Sequence, residues 1–160
     1  MHPEQFRAFD RICAERGAGG SVLEVGAVPG EDSLLCLESL RGAAAKVGVN
    51  LEGPSAFRDF EILKADANDL SLFRDGTFDT VLCINTLYNL PTWATVRRLL
   101  AELFRVTKPG GRVIYDLRNA WNPLIFAAYR RVAFYDPSCR RLPVKAYSPG
   151  RLAKLCREVV

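Results

Sequence analysis

The spacing of apolar residues changes several times along this chain, and each change marks an element. Over residues 4–16, Phe6, Phe9 and Cys13 recur at helical spacing with Ile12 beside them, predicting an amphipathic helix that Gly17-Ala18-Gly19-Gly20 ends. Residues 21–25, Ser-Val-Leu-Glu-Val, form a short apolar run bounded by glycines, as expected of a buried parallel strand. Residues 31–40 read as a helix with Leu34, Leu37 and Leu40 facing inward. Residues 46–50, 61–65 and 80–84 read as the second, third and fourth strands. Residues 91–106 give the clearest helix, with Val96, Leu99, Leu100, Leu103 and Phe104 on one face. Lys108-Pro109-Gly110-Gly111 stops it, and residues 112–117 read as a fifth strand. Beyond that strand, Asn122 as N-cap and Pro123 at the first helical position predict a helix that runs to Tyr135. Ser148-Pro149-Gly150-Arg151 opens a last helix whose apolar stripe is Leu152, Leu155 and Val159.

Strand and helix therefore alternate. That order implies an α/β domain, doubly wound around a mainly parallel sheet, with right-handed crossovers and helices on both faces. At 160 residues the chain fits one domain, residues 1–160. In such sheets ligands bind beyond the carboxyl ends of the strands, where strand order reverses. The residues just after each strand are the ones that carry candidate chemistry.

Composition narrows the classes. Hydrophobic residues make up 49% of the chain, enough for one buried core and unlike a disordered segment. No apolar stretch approaches the ~20 residues that span a bilayer, and Met1-His2-Pro3-Glu4-Gln5 does not resemble a signal peptide. Cys13, Cys36, Cys83, Cys139 and Cys156 are odd in number and widely spaced, the usage of free thiols in a reducing cytoplasm. His2 is the only histidine, so neither a histidine metal site nor a histidine triad is expected. Net charge is +4, but unevenly spread: from Arg118 onward there are nine basic residues against Asp136 and Glu158. That asymmetry fits either an anionic partner, phosphate or a membrane surface contacted peripherally, or arginines that merely solvate apolar helices.

Glu24-Val25-Gly26-Ala27-Val28-Pro29-Gly30 follows the first strand and leads into the next element. Glycines there let backbone approach a ligand, and a helix start offers unpaired N–H donors; a tight βα turn without ligand has the same look. The spacing is G-x-x-x-G rather than the G-x-G-x-x-G of dinucleotide sites, which counts against a nicotinamide-dependent oxidoreductase. Asn50, ending the second strand ~20 residues past the glycine turn, stands where a polar group bonds ribose hydroxyls. Asp66-Ala67-Asn68-Asp69-Leu70 follows the third strand, Asn85-Thr86-Leu87-Tyr88-Asn89 the fourth, and Leu103-Phe104-Arg105-Val106-Thr107-Lys108-Pro109-Gly110-Gly111-Arg112 precedes the fifth. Taken alone, Asp66 reads equally as a turn or cap residue.

These pieces, in this order, resemble the class I S-adenosylmethionine-dependent methyltransferases, most nearly the bacterial type 11 group. The resemblance runs from Ser21 to Asp116 and more weakly to Arg157. It implies a Rossmann-like sheet of about five strands in the order 3-2-1-4-5. It also implies S-adenosylmethionine as cofactor, S-adenosylhomocysteine as product, and no metal. By that likeness Glu24, Gly26, Ala27, Val28, Gly30, Asn50, Leu51, Asp66, Ala67 and Asn85 surround the cofactor, with the Asp66 carboxylate accepting from the adenine amino group and the Ala67 N–H meeting a ring nitrogen. Tyr88, Trp121 and Tyr129 are candidates for the substrate side, with the segment after the fifth strand as a lid. No catalytic residue is assigned; Tyr88 and Asp116 lie near predicted strand ends as candidate bases.

Three positions depart from the family pattern. Val28 replaces a glycine, Asn50 an acid and Asn89 a histidine. The family also closes its sheet with two further strands, so a five-stranded sheet with its far edge uncovered is expected, either as a fragment or with a dimer partner or missing segment on that edge. The fourth strand lacks an N-P-P-Y motif, and no basic-aromatic RNA module is present, so the expected acceptor is a small, sugar or lipid-linked molecule rather than nucleic acid. The competing reading is a non-catalytic domain of the same fold that serves as a partner or scaffold.

Overall fold

The computed structural model describes residues 3–119, 121–124 and 148–159. Six strands form one sheet: β1 (Ser21–Val25), β2 (Ala45–Asn50), β3 (Ser55–Phe57), β4 (Phe60–Lys64), β5 (Phe78–Cys83) and β6 (Thr107–Tyr115), in spatial order β3-β4-β2-β1-β5-β6. All pairings are parallel except the β3–β4 hairpin. The expected order 3-2-1-4-5 is present as β4-β2-β1-β5-β6, with one short antiparallel strand added at the edge. Arg58, at φ 53°, makes the tight turn between β3 and β4.

The strands are buried on both faces. On one face, Leu23, Val25, Val81 and Cys83 pack against Val96, Leu99, Leu100 and Leu103 of α2 (Trp93–Val106) and Leu152 of α3 (Pro149–Val159). On the other, Val22, Leu82 and Ile62 meet Cys13 of α1 (Pro3–Glu15) and a leucine-rich connection. The near-continuous apolar runs of β1 and β5 follow from this double coverage. Thr92 caps α2 reciprocally with Thr95, so the helix starts at Trp93, two residues later than its apolar pattern predicts.

Residues 31–40 are not an α-helix. They form three successive 3₁₀ turns, Gly30–Asp32, Leu34–Cys36 and Glu38–Leu40, joined by Ser33 and Leu37 in extended geometry (ψ 138° and 140°). The cause is Glu24. Its buried carboxylate accepts from the Ser33 hydroxyl (2.5 Å) and weakly from the Leu35 N–H (3.4 Å), which draws the chain across the sheet and breaks any longer helix. Leucines three apart suit this geometry as well, because side chains at i and i+3 eclipse in a 3₁₀ turn.

The fifth strand of the sequence pattern also starts earlier than expected. Phe78 pairs with Thr107 and Thr80 with Arg112, so Lys108-Pro109-Gly110-Gly111 loops out of the ladder while the chain stays on the sheet edge. Among the described residues, β6 pairs only with β5, so its outer edge carries no strand. The predicted helix after it lies outside the described residues apart from its start, where Asn122 Oδ1 accepts from the Leu124 N–H (3.0 Å). No helix among the described residues is long and apolar enough to cross a membrane.

Candidate active site

The order of the strands reverses between β1 and β5, and a cavity of about 630 Å³ opens there at the carboxyl ends. That volume lies within the roughly 300–1,000 Å³ of small-molecule sites. Gly26 and Val28 line it from the β1 loop, Asn50 and Leu51 from β2, Ala65 to Asn68 from β4, Ile84 to Thr86 from β5, and Leu90, Pro91 and Thr95 from the approach to α2. Among the described residues, Asp66 is the only charged one of this lining.

The β1 loop is held without any ligand. Gly26 and Gly30 adopt φ of 83° and 82°, and Val28 between them does not take a left-handed conformation. The Gly26 and Ala27 N–H groups both donate to Val49 O (2.9 and 3.0 Å), and Asn50 Nδ2 donates to Ala27 O (2.5 Å). A Cβ at Gly26 would collide with Thr86 Oγ1, whose hydroxyl bonds Val25 O and Ile84 O. Val28 is 42% exposed and faces the cavity rim, so the valine in place of glycine alters the wall rather than the turn.

The β4 loop is built differently. Asp66 Oδ1 accepts from the Asn68 N–H (2.8 Å), an Asx turn that leaves Oδ2 free of partners among the described residues. Behind the loop, Arg105 donates to Phe73 O (3.0 Å), Leu70 O (2.9 Å), Asp75 and Glu102, while Glu102 accepts from the Leu70 N–H (2.7 Å). The arginine of the Leu103–Arg112 run is thus a clamp that fixes the Asp66 loop onto α2.

Of the residues expected around the cofactor, Gly26, Val28, Asn50, Leu51, Asp66, Ala67 and Asn85 share this one cavity. Glu24, Ala27 and Gly30 do not line it. Glu24 and Ala27 are buried beneath the loop, and burial pushes the Glu24 carboxyl above the usual carboxylate range, partly offset by the Ser33 hydroxyl and the Leu34 and Leu35 N–H groups. Asn50 spends one of its two amide N–H donors on Ala27 O, which leaves the other and Oδ1, weakly bonded by the Glu52 N–H (3.4 Å), for a ligand.

Asn85 sits at φ 57°, a left-handed conformation that asparagine tolerates. Its N–H donates to Asp116 Oδ1 (2.8 Å), its carbonyl accepts from Asn89 Nδ2 (3.1 Å), and its side-chain oxygen accepts from the Tyr88 hydroxyl (3.2 Å). Burial raises the Asp116 carboxyl, which the Asn85 N–H and Arg118 counteract. Tyr88 lies behind the cavity wall with the Arg118 guanidinium over its ring at 3.6 Å. Trp121 is 72% exposed, and Tyr129 lies outside the described residues. Thr86 and Thr95 are lining residues that sequence reasoning missed; the Thr92–Thr95 capping box was the available signal for the second. No cluster of three or more metal-ligating side chains occurs among the described residues.

Comparison with known proteins agrees with this geometry. Residues 23–115, more than half of the chain, match the type 11 family of methyltransferase domains. The chain belongs to this family, within the S-adenosylmethionine-dependent methyltransferases. It is 28% identical over 129 residues to the mitochondrial 2-methoxy-6-polyprenyl-1,4-benzoquinol methylase of Dictyostelium discoideum, a match that covers 79% of this chain and 40% of that protein. The chain therefore spans less than half the length of this curated relative. In fold it is similar to the YcgJ protein of Bacillus subtilis (20% identity, TM-score 0.70, 99% of this chain and 68% of that one). It is similar also to the N-methyltransferase NodS of Bradyrhizobium japonicum in complex with S-adenosyl-L-homocysteine (17% identity, TM-score 0.67, 97% and 72%).

Proposed function

We propose that the domain binds S-adenosylmethionine in the cavity at the strand ends and transfers its methyl group to a small or lipid-linked acceptor. One observation carries this reading: the Asp66-Ala67 loop and the Gly26–Val28 loop, distant in sequence, face each other across a single cavity whose only charge is Asp66. The residues fit the cofactor. Asp66 Oδ2 would accept from an adenine amino group, with the Ala67 N–H beside it, and Asn50 and Leu51 would meet the ribose. When bound, the cofactor supplies a sulfonium methyl with a good leaving group. The chain's own work is to orient that methyl group beside the β1 loop and to keep water from it with Val28, Ile84 and Leu90.

The acceptor side has its own chemistry. Apart from Asp66, the lining has no carboxylate, lysine or histidine to act as base. The acceptor's body meets a lining that is largely apolar. A prenylated ring of the kind named in the Dictyostelium relative would suit such a lining.

Calorimetric titration with S-adenosylhomocysteine tests the cofactor site. Binding in the micromolar range is expected, abolished by Asp66→Ala. Asp66→Asn, which retains an oxygen for the Asn68 turn but turns an amide NH₂ toward the adenine amino group, is expected to abolish it too. A folded protein that does not bind up to millimolar ligand would overturn the proposal.

A further inference from the structure

The first turns of α2 face two ways. Thr95 lines the cofactor cavity, while Trp93 and Arg97 line a separate groove of about 350 Å³ between α2 and α3. Arg151, Lys154 and Leu155 of α3 form its other wall, and the Arg151 guanidinium lies over the Trp93 ring at 3.9 Å. Glu158 is the single acidic side chain of the groove, 3.9 Å from Lys154. Arg98 extends the positive surface along α2. Because Arg151, in the first turn of α3, stacks on the first residue of α2, both helices start on the side of the molecule where the cavity opens. Their N-terminal dipole ends add positive potential there.

Apolar side chains gather on the same side. Ile12, Val28, Leu51, Leu72, Trp121 and Leu124 are the large exposed hydrophobics among the described residues. Val28 and Leu51 stand just past β1 and β2, and Trp121 and Leu124 lie in the segment that leaves β6. Single exposed apolar residues need no explanation, but several at one end beside a cationic groove do. A nucleic-acid face requires phosphate contacts and has no use for exposed leucines. A bilayer interface uses both kinds of residue, apolar side chains at the acyl boundary and lysine or arginine at the headgroups.

The geometry points to the strand-end face, with the α2–α3 groove, as a docking surface for an anionic phospholipid bilayer. Leu51, Trp121 and Leu124 enter the interface, and Arg97, Arg151 and Lys154 meet the phosphates. The cavity mouth then opens onto lipid. Resting on the function proposed above, this gives a bilayer-dissolved acceptor access to the methyl group without passage through water.

Flotation with phosphatidylcholine vesicles, with and without phosphatidylglycerol, tests the surface. The chain is expected to float with the anionic vesicles only, and less so as salt rises. Each cation near such a surface contributes about fivefold in binding, so Arg151→Gln with Lys154→Gln is expected to lower partitioning roughly thirtyfold. In a Trp93→Phe variant, Trp121 emission is expected to shift blue on adding anionic vesicles. Absence of flotation by the folded chain, or flotation unchanged by the double substitution, overturns the inference. So does binding of duplex DNA, lost with the same substitutions, in a protein that ignores vesicles. S-adenosylhomocysteine titration of the same samples separates the two proposals: the double variant is expected to bind it normally, and vesicle binding without it would refute only the cofactor site.

Discussion

Gly26 illustrates how little freedom the site leaves a single residue. Its φ of 83° is unfavourable to any side chain, and a Cβ there would meet Thr86 Oγ1. Gly26→Ala is expected to cost about 1–2 kcal/mol through the backbone alone, plus the displacement of Thr86. Thermal unfolding of Gly26→Ala with and without Thr86→Ala checks this: the second substitution is expected to recover the steric part only. At this scale the sequence was partly legible. Gly26 and Asp66 announce themselves by position after a strand. That one N–H of the Asn50 amide bonds Ala27 was not readable, because its partner is a backbone carbonyl of another strand's loop, whose position depends on sheet register.

Elements were legible where one period dominated. The α2 stripe from Val96 to Leu103 admits no other reading, and the apolar runs of β1 and β5 demand burial on both faces. The misreadings arose where two structures share a pattern. Leucines at 34, 37 and 40 suit an α-helix and a chain of 3₁₀ turns alike, and only the buried Glu24–Ser33 bond decides between them. Ser55–Phe57 is too short to show alternation, so β3 was missed. Between elements, Arg105 ties α2 to the β4 loop through a set of charge-assisted and carbonyl bonds. Arg105→Ala is expected to destabilise the fold by about 1–3 kcal/mol. It is also expected to weaken S-adenosylhomocysteine binding several-fold without abolishing it, since the cavity wall moves but no lining side chain is lost. Urea unfolding and calorimetry on the same variant measure the two effects.

Across the whole molecule, two carboxylates pull the pH dependence of stability in opposite directions. Asp79, where β5 meets β1 and the Lys108 loop, accepts from the Ser21 N–H (2.8 Å), the Ser21 hydroxyl (2.7 Å) and Lys108 Nζ (2.8 Å). Lys108 first, then Ser21, hold its carboxyl far below the usual range. Its contribution is complete above the ordinary carboxylate pKa and is lost as pH falls through the lowered folded-state value. Glu24 has the reverse sign. Its raised folded-state pKa means stability is lost as pH rises from the ordinary value, about 4.3, towards that raised value. Melting temperatures measured from acid to neutral pH are expected to show a shallower acid limb for Asp79→Asn and a shallower decline above the ordinary glutamate pKa for Glu24→Gln. The sheet that carries these groups ends at β6, whose outer edge is unpaired among the described residues.

The strapping of the β1 loop bears on turnover. Val49 O and the Asn50 amide hold Gly26 and Ala27 through bonds internal to the chain, which lowers the ordering cost of that wall. Arg105 fixes the β4 wall in the same way. The remaining wall, residues 85–91, is built from the left-handed Asn85 and a single 3₁₀ turn. Under the proposed function, the spent cofactor is expected to leave past Asn85, Asn89 and Leu90, and its off-rate in stopped flow is expected to respond to substitutions in that short turn more than to changes in the glycine loop.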